Sequence, residues 1–512
     1  MSTPQPPAWP HCAHGADPAV DPVGCRGIHV PGHTTCLAHL SDTDRAAYFA
    51  DREWTLSVDL RGTTFTETLF DELRTATLRI GPSRFVHADF RFAVFERGDF
   101  TSISFLGDAH FESATFRGDA HFKHDPLYTE PTFLGAAHFE SATFPEADRF
   151  GPVVCAGRMV LSSTTFGGPV TLELAARHLE CRRTRWAATA EIRLRYTTVD
   201  FAHAVFEYPL TIAAEPDPFV LTNGSELAED AFTGAPGPDV RLVSLRGVDA
   251  AHLVLADIDL STCLFTGTVH LDQLRLEGAC TFDTAPPPAG WLRWPPLRFT
   301  KRRVLAEEHH WRASQPGAVR GWNTAVLGAG RVGPLHLAPV YRALRKAFED
   351  GKHEPGAADF YYGEMEMRRH ADDIPRSERG LLTAYWALSG YGLRASRALA
   401  WLGAAMLLTI VLLMAFGIAQ DSPKQTATGT VPAIRGKVTF EIDKDDPKNP
   451  TGNRFTGERF EKALNATLNS VVFRSSGQDL TTTGTYIEMT SRLTEPILLG
   501  LAVLAVRNRV KR

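Results

Sequence analysis

Phenylalanine returns along the chain at Phe85, Phe90, Phe95, Phe100 and Phe105, then at Phe111, Phe116 and Phe122, in steps of five and six residues. A five-residue step fits neither the 3.6-residue period of a helix nor the simple alternation of a strand. Two places before most of these phenylalanines stands a small residue: Ala88, Ala93, Gly98, Ala109, Ala114, Ala120, and later Ala137 and Ala142. Residues i and i−2 of an extended chain point to the same side, so a large and a small side chain enter the interior together before the chain turns. The pattern predicts short strands wound into a solenoid. Residues 105–116, FLGDAHFESATF, return at 133–144 as FLGAAHFESATF with eleven of twelve positions identical, as stacked copies of one structural unit require.

These residues resemble the pentapeptide-repeat proteins, whose core pattern is Ala-(Asp/Asn)-(Leu/Phe)-X-X. The resemblance implies a β-solenoid in the form of a right-handed quadrilateral β-helix, with one pentapeptide on each face. It covers residues 60–285. The rhythm returns late in Leu255, Leu260, Phe265, Leu271, Leu276 and Phe282, with Cys263 and Cys280 in small slots, and weaker coils lie at Phe201 and Phe206. Residues 145–195 and 210–245 read as degenerate. Steps of six depart from the strict family pattern.

Other patterns divide the rest of the chain. Residues 1–40 are rich in Cys and His, and residues 41–80 read as a cap on the open end of the solenoid, which needs cover to keep its edges from pairing with other chains. The β-helix proper is expected over 81–285. Five prolines within 286–296 close it, since proline lacks the backbone donor a paired coil uses. A Pro-rich and helical linker is expected over 286–335, and a helical hairpin over 336–395 in which Phe360, Tyr361 and Tyr362 serve as core.

Residues 398–419 carry no charge over 22 positions, about 33 Å as a helix, enough to cross a bilayer. A first transmembrane helix is therefore expected over 396–420. Arg394 and Arg397 precede it, which favours a cytoplasmic N-terminal side. An extracytoplasmic loop with a short amphipathic helix is expected over 421–490, then a short second transmembrane helix and basic tail over 491–512. The apolar run of that second helix, 496–506, is short for a span. The cluster Arg507, Arg509, Lys511 and Arg512 argues for a second crossing nonetheless, with Glu495 falling inside its outer end. The choice between one span and two stays open at this level.

The formal net charge of −5 does not mark a nucleic-acid binder, and acidic residues outnumber basic ones across 80–290. Residues 1–30 hold no apolar run, so no signal peptide is expected. With seven scattered cysteines, a reducing compartment is the expectation for the front of the chain.

Chemistry-bearing residues are few. Cys12, Cys25, Cys36 and His39 offer three thiolates and an imidazole, the donors of a structural zinc site. The wide spacing of Cys12 and Cys25 leaves ordinary reduced thiols as an equal reading, and His11, His14, His29 and His33 are nearby substitutes. The run Glu307, Glu308, His309, His310 lacks the i,i+4 spacing that aligns two ligands on one helix face, so it reads as structural. No phosphate loop, nucleophile elbow or paired zinc-hydrolase histidines occur in the sequence, and no enzyme is expected.

The helix–loop–helix ending resembles, faintly, a degenerate potassium-channel pore, with residues 481–486 in the filter place but no second glycine after Tyr486. The whole chain resembles the membrane-anchored pentapeptide-repeat proteins of high-GC Gram-positive bacteria. That resemblance implies an integral cell-membrane protein whose solenoid, on the cytoplasmic side, binds a protein partner as a scaffold. The lipid bilayer is then a partner, a homo-oligomer is allowed, and no small-molecule substrate or nucleic acid is expected. Some soluble members look like duplex DNA, a role a membrane tether disfavours. The alternative is a two-helix, channel-like membrane protein with the solenoid as sensor or assembly domain.

Overall fold

At each repeat the chain extends for a few residues, turns, and meets the preceding coil in parallel register. Ala88 pairs with Ala109, Ala109 with Ala137 and Ala137 with Met159. The result is a parallel β-solenoid of about nine turns, as the phenylalanine spacing predicts. The structure is a computed structural model. It describes residues 5–51, 56–80, 83–122, 132–221, 224–286, 302–316, 318, 321–322, 330, 332–419, 425–429, 441–444, 447–472 and 477–510. The expected proline-rich stop lies almost wholly outside the described residues. The chain forms two compact units, Met1–Met367 and Arg368–Arg512.

One corner recurs through the solenoid. Ala114 N–H donates to the Phe111 carbonyl at 3.0 Å, Ala142 to Phe139 at 3.0 Å and Ala204 to Phe201 at 2.9 Å. Between them Ser113, Ser141 and His203 hold φ of 60°, 59° and 61°, the left-handed third position of a tight turn. Side chains resist that conformation. Here each strained amide donates across to the next coil: Ser113 to Glu140 at 2.9 Å, Ser141 to Ser162 at 3.0 Å and His203 to Arg246 at 2.7 Å. Stacking thus repeats the turn and offsets its cost with a hydrogen bond per coil.

Inside, aromatic rings form columns. Phe65, Phe95, Phe116, Phe144, Phe166 and Trp186 stack with successive centroids 5.0, 4.8, 4.8, 4.9 and 4.2 Å apart. Phe90, Phe111 and Phe139 form a second column, Phe85, Phe105 and Phe133 a third, and Phe100 and Phe122 a fourth. The small residues beside them, Ala93, Ala109, Ala114 and Ala137, are fully buried and let coils approach closely.

The stretch 145–195 corrects the sequence reading. It holds the longest strands of the solenoid, Arg149–Val160 and Val170–Glu180, paired in parallel over most of their length. Leu172, Leu174, Ile192 and Leu194 fill the interior there in place of phenylalanine. Residues 210–245 do depart from the coil. After the strand Leu210–Ala214 an excursion packs Phe219, Leu221, Leu227 and Phe232 on Val154 and Ala175. The buried Arg195 and the partly buried Glu229 tie it down at 2.6 Å.

The first coil lies inside the segment read as a cap, where the repeat resemblance starts at 60. Ser57–Asp59 and Thr64–Phe65 are its strands and pair with His87–Asp89 and Val94–Phe95. Helices α1 (Asp42–Ala50) and α2 (Glu67–Ile80) flank them, and Phe70 of α2 packs edge-on to Phe95 and Phe100.

At the other end, α3 (Ala306–Ala313), α4 (Pro334–Asp350) and most of α5 (Glu354–His370) belong to the same unit as the coils. Phe282, from the last coil, lies 5.9 Å from Phe348 and 5.0 Å from Phe360. The expected helical hairpin is α4 and α5, and it packs on the last coil as a lid; of its aromatic cluster Phe360 is core, Tyr362 is buried and Tyr361 is partly exposed.

The second unit contains α6 (Arg376–Ser389), α7 (Ala395–Leu412), α8 (Gly457–Val471) and α9 (Thr482–Val510). Ala395–Gly417 and Thr482–Arg507 are long and apolar enough to cross a membrane. Thr409 meets Glu495, while Gly417 meets Gly484, so the two helices run antiparallel. The second is not the short helix expected from 491: it starts at Thr482, and the 26 residues to Arg507 span about 39 Å. Glu495 consequently lies at mid-helix rather than near an end. It is fully buried and accepts from Thr409 Oγ1 at 2.8 Å.

Helix α8 fastens the connecting end of this pair. Arg459 donates through Nη2 to the carbonyls of Met414 and Ile418, each at 2.8 Å, and through Nη1 to that of Ala419 at 3.3 Å. Thr481 Oγ1 donates to Phe416 O at 2.7 Å. A cation and a hydroxyl thus satisfy carbonyls that a helix end leaves open.

Candidate metal centre

The head of the chain folds back on itself before the first coil. Cys12 N–H donates to Gly27 O at 2.8 Å, Ala13 to Cys25 O at 2.9 Å and Cys25 to His14 O at 3.0 Å, which sets Cys12 and Cys25 side by side on antiparallel segments. The chain then passes through a single 3₁₀ turn, Leu37–His39, whose flanking Cys36 and terminal His39 point the same way. Gly27 makes the approach of Cys36 feasible: a Cβ there would stand 2.6 Å from Cys36 Cβ and 2.8 Å from its sulfur.

The four ligand atoms of Cys12, Cys25, Cys36 and His39 all lie within 4.8 Å of one another. Cys25 and Cys36 sulfurs are 3.6 Å apart, and His39 Nδ1 is 3.3 Å from Cys36 Sγ and 3.5 Å from Cys12 Sγ. All four residues are at least partly shielded and the three cysteines are free thiols. A hydrogen bond from Cys36, helped by the Gly27 N–H, brings the Cys25 thiol down to about 5, while the same contact and burial push Cys36 up. The structure therefore gathers all four residues that the sequence singles out. Of the nearby histidines, His14 stacks on the His39 ring at 4.1 Å, and His29 Nε2 hydrogen-bonds the His11 carbonyl at 2.8 Å.

The centre adjoins the solenoid. Ile28 N–H donates to Arg61 O at 2.8 Å, and a Cβ on Gly62 would collide with the Arg26 carbonyl. Arg61 also lies over the Trp9 ring at 5.2 Å, and Trp9 meets Phe92 at 5.4 Å. Val30, Leu37 and Leu40 belong to the same apolar core as Val58, Leu60 and Phe65.

The Glu307–His310 run does other work, in keeping with its reading as structural. Glu307 Oε1 accepts from the backbone N–H of Phe265 and Thr266 at 2.6 and 3.0 Å, capping a late coil. Glu308 is fully buried and accepts from Arg302 and Arg312, each at 2.6 Å, and from the Tyr341 hydroxyl. Burial alone would raise its carboxyl, but the two guanidiniums hold it down to about 2. His309, with Asp283 3.3 Å away, is lowered chiefly by burial.

On the flank of the coils, Glu112, His138 and Glu140 form a second, partly exposed grouping. Stacked His110 and His138 each pair with a glutamate at 2.9 and 3.3 Å, which accounts for it without an ion. Residues 481–486, the faint filter resemblance, open α9: Thr485 N–H donates to Thr481 O at 2.9 Å. Carbonyls spent inside a helix cannot line a selectivity filter.

Arg459 escaped the sequence reading, because a lone arginine on an amphipathic helix carries no spacing signal. No family model, no curated protein and no solved structure matches the chain.

Proposed function

We propose that the protein is a non-enzymatic, membrane-tethered scaffold of the pentapeptide-repeat type, whose solenoid lies on the cytoplasmic side and binds a protein partner. The observation that carries this reading is the antiparallel pairing of α7 and α9. It puts Arg394 and Arg397, at the start of one span, at the same end as Arg507, at the close of the other. Positive clusters prefer the cytoplasmic side, and a hairpin satisfies both at once. A stack about nine turns long supplies a wide, regular surface, and its acidic excess suits a partner with a basic face.

Two linked measurements test the proposal in cells. The full chain should resist extraction from membranes by alkaline carbonate, and a chain ended at Met367 should not. Photo-crosslinking residues placed at exposed coil positions such as Leu134, Val205 and Val269 should yield a discrete adduct with one protein. A full chain released by carbonate would remove the tether, and coil positions that give no adduct anywhere along the stack would remove the scaffold.

A further inference from the structure

We propose that Cys12, Cys25, Cys36 and His39 bind one Zn²⁺, and that this ion is the clamp holding the N-terminal segment over the first coil of the solenoid. Four thiolate and imidazole donors around zinc, with Zn–S near 2.3 Å, sit about 3.5 to 3.8 Å apart at tetrahedral angles. The separations of 3.5 and 3.6 Å fall at that spacing, the third at 3.3 Å lies just below it, and all four ligand atoms are within 4.8 Å of one another. Bare thiols and an imidazole gain little from such a gathering, and a disulfide would draw two sulfurs to about 2.05 Å. The set is complete with four protein ligands, which leaves no open position for a substrate and marks the site as structural rather than catalytic.

The location gives the ion its role. Ser57–Asp59 and Thr64–Phe65 stand last in their respective sheets, so among the described residues their outer edge has no further coil to pair with. An open parallel edge is a template for another chain. The segment carrying the ligands covers that end through the Ile28–Arg61 hydrogen bond, the Arg26–Gly62 contact and the burial of Val30, Leu37 and Leu40. The segment itself has little regular structure: one 3₁₀ turn and isolated antiparallel bridges, His11 with Ile28 and Asp17 with Asp21. Its backbone hydrogen bonds join residues within the segment, with Ile28 N–H to Arg61 O reaching the first coil, so a metal cross-link among residues 12, 25, 36 and 39 would lock its separate turns into one piece over that coil.

The test uses the full chain purified in detergent. Elemental analysis should find one zinc per chain, and cobalt in its place should give the visible bands of a tetrahedral thiolate site. Cys12→Ser should cut the sulfur-to-cobalt absorption by about a third, as one thiolate of three is lost. His39→Cys should keep the metal and shift the bands toward a four-thiolate spectrum, which guards against variants that merely misfold. Removing zinc with a chelator should speed amide exchange at least tenfold in residues 10–40 and 57–65 while leaving 170–195 protected. Chain free of zinc after refolding with the ion, or zinc retained when all four ligands are replaced, would overturn the site. Zinc bound and removed with no change at 57–65 would overturn the clamp.

Discussion

Phe111 lies face to face with Phe139, ring centroids 4.8 Å apart and planes 5° from parallel. The two are matching positions of the near-duplicated stretches, so the repeat in the sequence is a stack in space. Both rings are fully buried. Phe111→Ala should destabilise the solenoid by roughly 3–5 kcal/mol, the usual cost of emptying a phenylalanine site. Phe111→Asp should abolish its protease resistance, since a carboxylate there finds no partner. Limited proteolysis of the full chain reads both, and an unchanged digestion pattern for the aspartate variant would refute the column.

The Glu308 cluster makes the lid of the solenoid sensitive to acid. Its carboxyl is held at about 2, below the ordinary 4.5. A depressed folded-state value contributes stability that is full above about 4.5 and lost as pH falls toward 2. Glu308→Gln takes the counter-charge from the largely buried Arg302 and leaves Arg312 with Glu366 alone, 3.3 Å away, and should cost about 3–5 kcal/mol at neutral pH. The difference between wild type and variant should narrow as pH drops through that window. Thermal unfolding across pH checks it, and a gap independent of pH would contradict the assignment.

Arg459 predicts how the connecting end of α7 and α9 is held. Arg459→Gln removes the cation from three carbonyls and should weaken that end by about 1.5–3 kcal/mol, the range for hydrogen bonds to a charged group. Amide exchange at 413–419 should accelerate, with 395–405 little changed.

Gly484 sets how closely the two helices cross. A Cβ there would collide with the backbone of Gly417, and backbone cannot move aside as a flexible side chain can. Gly484→Ala should cost roughly 1–3 kcal/mol, seen as a lower unfolding midpoint in detergent, whereas Gly500→Ala, where the space is open, should be neutral.

Much of this architecture is legible in the residues, for identifiable reasons. Phenylalanine every five or six positions announces the columns because the coil repeats the same corner each time. Cys36 and His39 announce a ligand pair by proximity, though only the fold brings Cys12 and Cys25 beside them. The same search passes over 145–195 because Trp186 and the leucines continue the interior with other side chains. It also misplaces the start of α9. Gly484, Glu488, Ser491 and Glu495 share the face packed in the interior, so a polar-looking stretch is the buried side of a helix. The fusion of α3–α5 to the solenoid was invisible for a related reason: Phe348 and Phe360 are ordinary apolar helix positions until Phe282 stands against them.

A cytoplasmic solenoid anchored by the α7–α9 hairpin, as proposed, requires a defined membrane topology. Reporters would be placed within the 447–456 segment after Gly452 and at the end of the chain after Arg512. The first should report outside the membrane and the second inside. A terminal reporter on the outside, or one at Gly452 on the inside, would contradict it.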